Sequence, residues 1–429
     1  MAERASVFEG IYLGAESLTA PGTAVPALKQ IGDFGIELGP QIPVDEVVPY
    51  GSKVATGVVV RKEWTDGELN GSPGFLSLPY VFSSTVCKPV ITTPGGATDT
   101  RRWTFTPKAR RPDKLQTYTM QKGGDAGVSE AVNVFLQGFQ ISLSNEGSTL
   151  GGSVMGQQLD ETDVVLSGNE IQLIDMDGAT GGSFTATLGA ATPVTINWDD
   201  TATEAQTALE SLSTVGTDNV RVTKPASDQF RIEFKNDLGQ QNVATLTCNF
   251  AGLTGSGGGA AISVVTAGVA PTILDCIPIS PRYPDLYIGD SIAGLEQLDR
   301  ADMVEFGIGE RQTPYFTLDS REQSFSASVE KKPQFSINFR LMHNSVSLAL
   351  LDELRAGQTK IFRILIEQDE IESGFPYRLQ ITMGCKMANP VRGDNNDVYS
   401  NTMELIPVPT SELSGNYLEI VLDTTNTAL

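Results

Sequence analysis

Histidine is nearly absent from this chain: His343 is the single one among 429 residues. A histidine-based triad therefore has one candidate base, and no GxSxG elbow accompanies it, so hydrolysis of that kind is not expected. His343 reads instead as a packed or capping residue at a strand–helix junction. Cysteine is almost as scarce. Cys87, Cys248, Cys276 and Cys385 contain no CxxC spacing, join no His/Cys cluster of the kind zinc requires, and are too sparse for a disulfide framework. Buried free thiols are expected, as in a protein that folds in a reducing cytoplasm. No run reaches the roughly 18 apolar residues of a membrane-spanning helix. The opening MAERASVFEG has no basic region followed by an apolar one, so no secretory signal is expected.

Positive charge is also in short supply. Lys and Arg number 30 against 52 Asp and Glu, a net charge of −22. Residues 1–168 carry −5, residues 169–275 carry −8 and residues 276–429 carry −9, so the excess is general and not confined to a tail. Tight nucleic-acid binding rests on Lys and Arg neutralising phosphates, and this composition argues against it. Plain solubility accounts equally well for the acidity.

What is plentiful is glycine (43) and proline (23), spread as punctuation between short alternating segments. Three of those segments recur in order. IYLG (11–14) returns as LYIG (286–289), FGI (34–36) as FGI (306–308), and GVVVRK (57–62) as ASVEKK (327–332). The pattern reads as a duplication with small loop deletions. In the second copy QFSINFRLM (334–342) alternates as a strand, with Phe335, Ile337, Phe339 and Leu341 on one face. NSVSLALLDELRAG (344–357) then reads as a helix capped by Asn344 or Ser345, with Val346, Leu350, Leu351 and Leu354 on its apolar side and Gly357 ending it. In the first copy GFLSLPYVFSS (74–84) holds that place, and Pro79 predicts a shorter or kinked helix. Further strands are expected at 103–107, 116–120 and 134–156, and again at 360–368, 377–387 and 401–408.

Between the copies the pattern changes. A hairpin (182–198) precedes an amphipathic helix (199–214), in which Thr201 and Glu204 fit a capping box and Ala205, Ala208, Leu209 and Leu212 form a buried stripe. Strands follow at 219–223, 229–235 and 242–250, then a glycine-rich loop (252–261) and a strand at 262–267. This is a self-contained α+β module.

The order IYLG…LTAPGTAVPALKQIGDFGI, then WTFTPKARRPDKLQTYTMQKGGDAG, then GFQISLS resembles the major tail tube proteins of siphovirus-type bacteriophages. The middle pattern FTATLGAATPVTINWDDTATEAQTALESLS, with NVRVT and FRIEF, resembles a repeat of phage tail and bacterial surface proteins. The resemblance implies a mainly β (α+β) chain. Residues 1–168 would be a first tail-tube β-barrel or sandwich domain with an N-terminal arm. Residues 178–268 would be an inserted surface module, and 276–429 a second tail-tube domain, each tube domain carrying a short flanking helix. It implies a structural virion protein and not an enzyme. Two tube domains per chain imply a homotrimeric, pseudo-hexameric ring, with a homohexamer as the alternative. Rings would stack into a tail tube through which genomic DNA passes without specific binding during ejection. Tape measure and tail terminator or tip proteins would be partners, the virion tail and the host cytoplasm during assembly the location. No membrane and no cofactor are implied.

Stacked rings need contacts, and residues 1–30 and 93–128 are long for plain connectors. Arg101, Arg102, Lys108, Arg110, Arg111 and Lys114 form the one basic concentration. They read as an extension meeting an acidic face of the next ring, or as a solvated loop, or as a nucleic-acid patch with Trp103 and Tyr118 for stacking. REQSFSASVE (321–330) is a candidate lumen strand. GSGGGAA (255–261) lacks the ending of a phosphate loop. LIDMDGATGG (173–182) and RGDNND (392–397) lack EF-hand spacing and read as loops. Asp199 and Asp200 are explained by the helix that follows them. A non-catalytic bacterial surface or adhesion protein remains the alternative function. A carbohydrate-active enzyme with paired carboxylates is a third reading, which the low aromatic content of 7% disfavours.

Overall fold

The computed structural model describes residues 9–124, 127–162, 164–255, 258–395 and 398–429, and it is mainly β. The first copy contains β1 (Gly10–Ala15), β2 (Phe34–Gln41), β3 (Trp64–Gly71), α1 (Leu78–Thr85), β4 (Arg101–Phe105), β5 (Tyr118–Gly124), β6 (Gly127–Ser144) and β7 (Gly147–Gly156). The second contains β8 (Pro284–Gly289), β9 (Ala301–Gly309), β10 (Gln334–Met342), α3 (Ser345–Arg355), β11 (Lys360–Glu372), β12 (Phe375–Asn395), β13 (Val398–Pro407) and β14 (Leu418–Thr424). In the first copy antiparallel pairing runs β1–β5–β6–β7–β3–β2. In the second it runs β8–β11–β12–β13–β10–β9, the same order. In each copy a long strand, β6 or β12, pairs with different neighbours along its two halves. Among the described residues no strand pair closes a barrel.

Registers fix which residues correspond. Gln41 faces Trp64 and Gly309 faces Gln334, the first residue of the next strand in each copy. GVVVRK and ASVEKK are therefore true counterparts. The two FGI triplets are not: Phe34 faces Gly71 at the far end of β3, whereas Phe306 faces Ile337 in mid-strand. That match is a coincidence of composition, because any core strand favours such residues.

The copies share one core. Phe139 of β6 touches Phe82 of α1 at 5.5 Å and Phe306 of β9 at 5.8 Å, and the buried cluster runs from Leu13 through to Leu422. β4 belongs to the first copy in sequence but pairs with β14 of the second, putting Trp103 opposite Leu422. All eight residues of α1 are buried, with Pro79 in its first turn, so the proline shortens the helix as expected. Asn344 caps α3: its Oδ1 accepts from Ser347 N and Ser347 Oγ accepts from Asn344 N. Leu350 is buried, but Val346 is exposed, so α3 seats a narrower stripe than its sequence suggested; the Leu354 side chain lies outside the described residues.

The inserted module has its own core of Ile174, Phe184, Leu209, Phe230 and neighbours. Its larger sheet starts with Ile171–Asp175, ahead of the expected boundary at 178. The capping box forms as read, but the helix is only α2 (Ala202–Glu210), and the expected strand 242–250 is reduced to Thr247–Asn249. At the neck the two chain crossings touch, with Val269 N donating to Gly168 O at 2.9 Å.

The four thiols are free. Cys87 and Cys385 are buried, but Cys248 is only half-buried and Cys276 exposed, against expectation.

Because Phe139 fills the space between both copies and α1, truncating it opens a cavity under the junction. Phe139→Ala is expected to cost about 3–5 kcal/mol, measured by urea unfolding, and to destabilise both copies in one transition.

Candidate assembly interfaces

Eight strands from the two copies form one continuous sheet among the described residues, ordered β2–β3–β7–β6–β9–β10–β13–β12. The link is β6 to β9, pairing Phe139 with Ile308, Ile141 with Phe306 and Leu143 with Val304. Period-2 alternation sends these side chains to the core and leaves the opposite face to small and polar residues. Across that face Glu37 sits opposite Glu68, Ser142 opposite Glu305, and Asn338 between Glu305 and Glu404. Arg340 is a cation there, and Asp302 neutralises it at 2.8 Å. The 321–330 segment is not part of this sheet. Only Ala327–Glu330 is a strand, and it belongs to a projecting hairpin.

Both ends of the eight-strand sheet are open. β2 has β3 on one side and no partner on the other among the described residues. β12 loses β11 after Cys385, so among the described residues its Lys386–Asn395 stretch is paired only with β13. Unpaired edges of this length invite another chain unless something covers them.

Two hairpins leave the same end of the sheet. The first, Val44–Val47 with Gly57–Val60, exposes Val44, Val47, Val48, Val54, Val58, Val59 and Val60, and Tyr50 is fully exposed. The second, Gln312–Tyr315 with Ala327–Glu330, turns back onto the first copy. Phe316 meets Trp64 at 5.7 Å, and Phe325, 1% exposed, meets Phe135 at 6.0 Å. Gln157 Nε2 donates to Phe325 O at 2.6 Å, Glu63 N to Gln323 O at 3.0 Å and Lys62 Nζ to Asp319 O at 2.9 Å. Arg311 holds the root. Its guanidinium, 3% exposed, lies 2.5 Å from Asp113 and 2.9 Å from Glu330, and it donates to Thr85 O and Lys331 O. Burial pushes both carboxyls above their ordinary values, and the guanidinium offsets that only in part.

The six basic candidates divide. Arg101 and Arg102 lie in β4, inside the chain's own sheet. Arg102 makes a bidentate pair with Asp423 at 2.7 Å, and Arg101 donates to Thr98 O. Lys108, Arg110, Arg111 and Lys114 are exposed on the following loop and make no ion pair among the described residues. The presumed N-terminal arm is likewise built in from Gly10 onward. The Glu16 carboxylate holds its loop by accepting from Gly22 N, Thr117 Oγ1 and Asn133 N, and Lys29–Ile31 pairs with β1. Residues 1–8 lie outside the described residues.

The basic loop borders an open groove of about 740 Å3 between Lys331–Phe335 and Glu404–Pro407. His343 sits 3.0 Å from Asn401 Nδ2 at the base of α3. No group of three or more His, Cys, Asp or Glu able to hold a metal occurs among the described residues, 173–182 included; residues 256–257 of the glycine-rich loop and 396–397 of RGDNND lie outside them. No helix is long and apolar enough to cross a membrane. The sequence signal missed was the first hairpin, where valines flank PYGSK on both sides. No protein-family model matches the chain, and no curated protein matches it.

One latch between the copies has a pH signature. Glu372 at the tip of β11 accepts from the backbone N–H and hydroxyl of both Thr98 and Thr100, at 2.7–3.1 Å. These bonds favour the ionised form and pull its pKa down from 4.5 to about 2. A lowered carboxyl stabilises above its unfolded value and loses that contribution as pH falls. The 93–100 loop is therefore expected to resist proteolysis at neutral pH and to become cleavable as pH drops from about 4.5 to about 2. Glu372→Gln should give the same cleavage at neutral pH.

Proposed function

We propose that this chain is a structural, non-catalytic tube-building protein: copies of it close into a ring, and rings stack into a conduit of the kind the resemblance to phage tail tube proteins implies. The observation that carries the reading is the β6–β9 joint. It joins two related β units edge to edge, and among the described residues the two corresponding edges, β12 and β2, have no partner on their outer side. Counted from the shared register, Pro390–Asn395 corresponds to Phe139–Ser144 and Gly35–Pro40 to Met303–Ile308. A second copy bringing its β2 to this β12 repeats the internal joint, with Leu38 facing Arg392 and Glu37 facing Gly393. Three two-copy chains then give a pseudo-sixfold wall.

The polar sheet face becomes the inner wall. DNA presents a negative charge about every 1.7 Å of its axis, so a basic wall would hold it by many phosphate contacts. A face set with Glu37, Glu68, Glu305 and Glu404 repels the duplex and leaves it hydrated. The virion tail as location, and tape measure and terminator or tip proteins as partners, belong to the same proposal.

Electron microscopy of purified protein is expected to show rings or tubes, with a ring mass of three chains; monomers at all concentrations would end the reading. Leu38→Arg sets two guanidinium groups face to face across the joint and should abolish rings, since like charges directly opposite destabilise a strand pair. Adding Arg392→Glu should restore them. Glu68→Lys with Glu305→Lys should leave assembly intact but make tubes retain DNA in a salt-sensitive way.

A further inference from the structure

Within the chain, the second hairpin not only projects beyond the β6–β9 joint; it lies across the neighbouring sandwich and is received there by Lys62, Glu63, Trp64 and Gln157. The first hairpin is its counterpart and has no such seat among the described residues. Val44 and Gln312 open the two hairpins, Val47 and Tyr315 end their first strands, and Val48 therefore corresponds to Phe316. The corresponding seat can also be located. Thr65 faces Gly156 as Phe335 faces Pro407 when the β10–β13 register is continued, so Lys332, Pro333, Gln334 and Val408 correspond to the four receiving residues. Lys332 and Pro333 of this set line the 740 Å3 groove, and Gln334 and Val408 adjoin its lining residues Phe335 and Pro407 in the chain.

We infer that this groove receives the first hairpin of a second copy, side by side in the same ring. The inference rests on the ring reading above and adds to it a second, separate contact. The groove offers Pro333, Phe335, Ile406, Pro407 and Tyr417 to an apolar occupant, and the first hairpin carries its apolar residues unburied: Val54 is 70% exposed and Tyr50 fully so. Lys108, Arg111 and Lys332 at the rim, and Glu46 and Lys53 on the hairpin, make no ion pair among the described residues, so Glu46 is the hairpin group the rim cations can meet.

The two seats differ in kind. The internal one is aromatic, with Trp64 and Phe135 beneath Phe316 and Phe325. In the external one Gln334 and Lys386 hold those places, by the same registers. The clamp differs as well, since Pro43 stands where Arg311 anchors the second hairpin. A contact made and broken between chains has to leave both faces soluble when apart, and the external seat is the more polar of the two.

The test uses the full chain carrying Cys276→Ser, which removes the exposed thiol. Val48→Cys protein is mixed with Gln334→Cys protein, assembled, and treated with a short bis-maleimide. Because each chain holds one engineered thiol, a dimer band can come only from contact between copies. Glu37→Cys mixed with Gly393→Cys reports the strand joint independently. Dimer bands from both mixtures, already present in isolated rings, are the expected result. The strand pair cross-linking without the hairpin pair would overturn the seat and leave the ring standing. A hairpin cross-link found only in stacked tubes would also overturn it, since the hairpin would then reach the next ring. Neither cross-link, with monomers throughout, would overturn the ring and the seat together. Tyr50→Asp, on a fully exposed side chain, should lose the hairpin cross-link and keep the strand one.

Discussion

The fold depends on one antiparallel joint, the six-residue pairing of β6 with β9. A sandwich can bury its two inner faces, but its sheet edges still end in unpaired N–H and C=O groups. Here the first copy completes one of its edges with the second copy and so moves the open edge to the far side. Phe139, Ile141 and Leu143 on one strand and Val304, Phe306 and Ile308 on the other are all buried at the seam. The backbone ladder sets alignment and the apolar rows supply the energy, since burial of side chains of that size is worth roughly 1.5–3 kcal/mol each. A one-residue slip would turn every one of them to the polar face.

Arg311 makes the joint specific in a different way. A guanidinium taken out of water has to be fully met, and breaking such a buried pair costs far more than the pair contributes net. Arg311 is met by Asp113 from the basic loop, Glu330 from the far strand of its own hairpin and carbonyls at the end of α1. Four separate segments must therefore be in place together. The cluster works as a check on geometry more than as a source of stability, and its two carboxyls, pushed up by burial, carry the cost.

Local patterns in the sequence carried the local structure. Alternation in QFSINFRLM placed Ile337, Phe339 and Leu341 in the core, and the Thr201–Glu204 box marked the start of α2. The recurrence of IYLG and of the GVVVRK-type strand pointed to a duplication, but the strand-pairing order of the two copies was not legible from it. What stayed illegible depends on partners distant in the chain. Arg101 and Arg102 look like a free basic extension until β4 is seen against β14, where Asp423 claims Arg102. REQSFSASVE looks like a polar wall strand until Phe325 is found beneath the first copy, against Phe135. Periodicity reports which face of a strand is wet, but it does not name the strand alongside.

If copies of the chain do pair through β12 and β2 as proposed, duplication accounts for one strong joint and one open one. Two copies in one polypeptide meet at an effective concentration set by the linker, so their joint forms once and can be aromatic and clamped. A joint between chains forms at whatever concentration the protein reaches, and its halves must stay soluble until then. Arg392 faces the core side of β12 opposite Asn401, where the internal joint has Ile141 opposite Leu150. A cation on the inner face of an open strand edge is a recognised brake on indiscriminate strand pairing. Only a partner whose own sandwich completes the core while accommodating that charge gains from pairing there. On the proposed ring reading, the asymmetry between Ile141 and Arg392 would separate the permanent half of the wall from the half that waits for another copy.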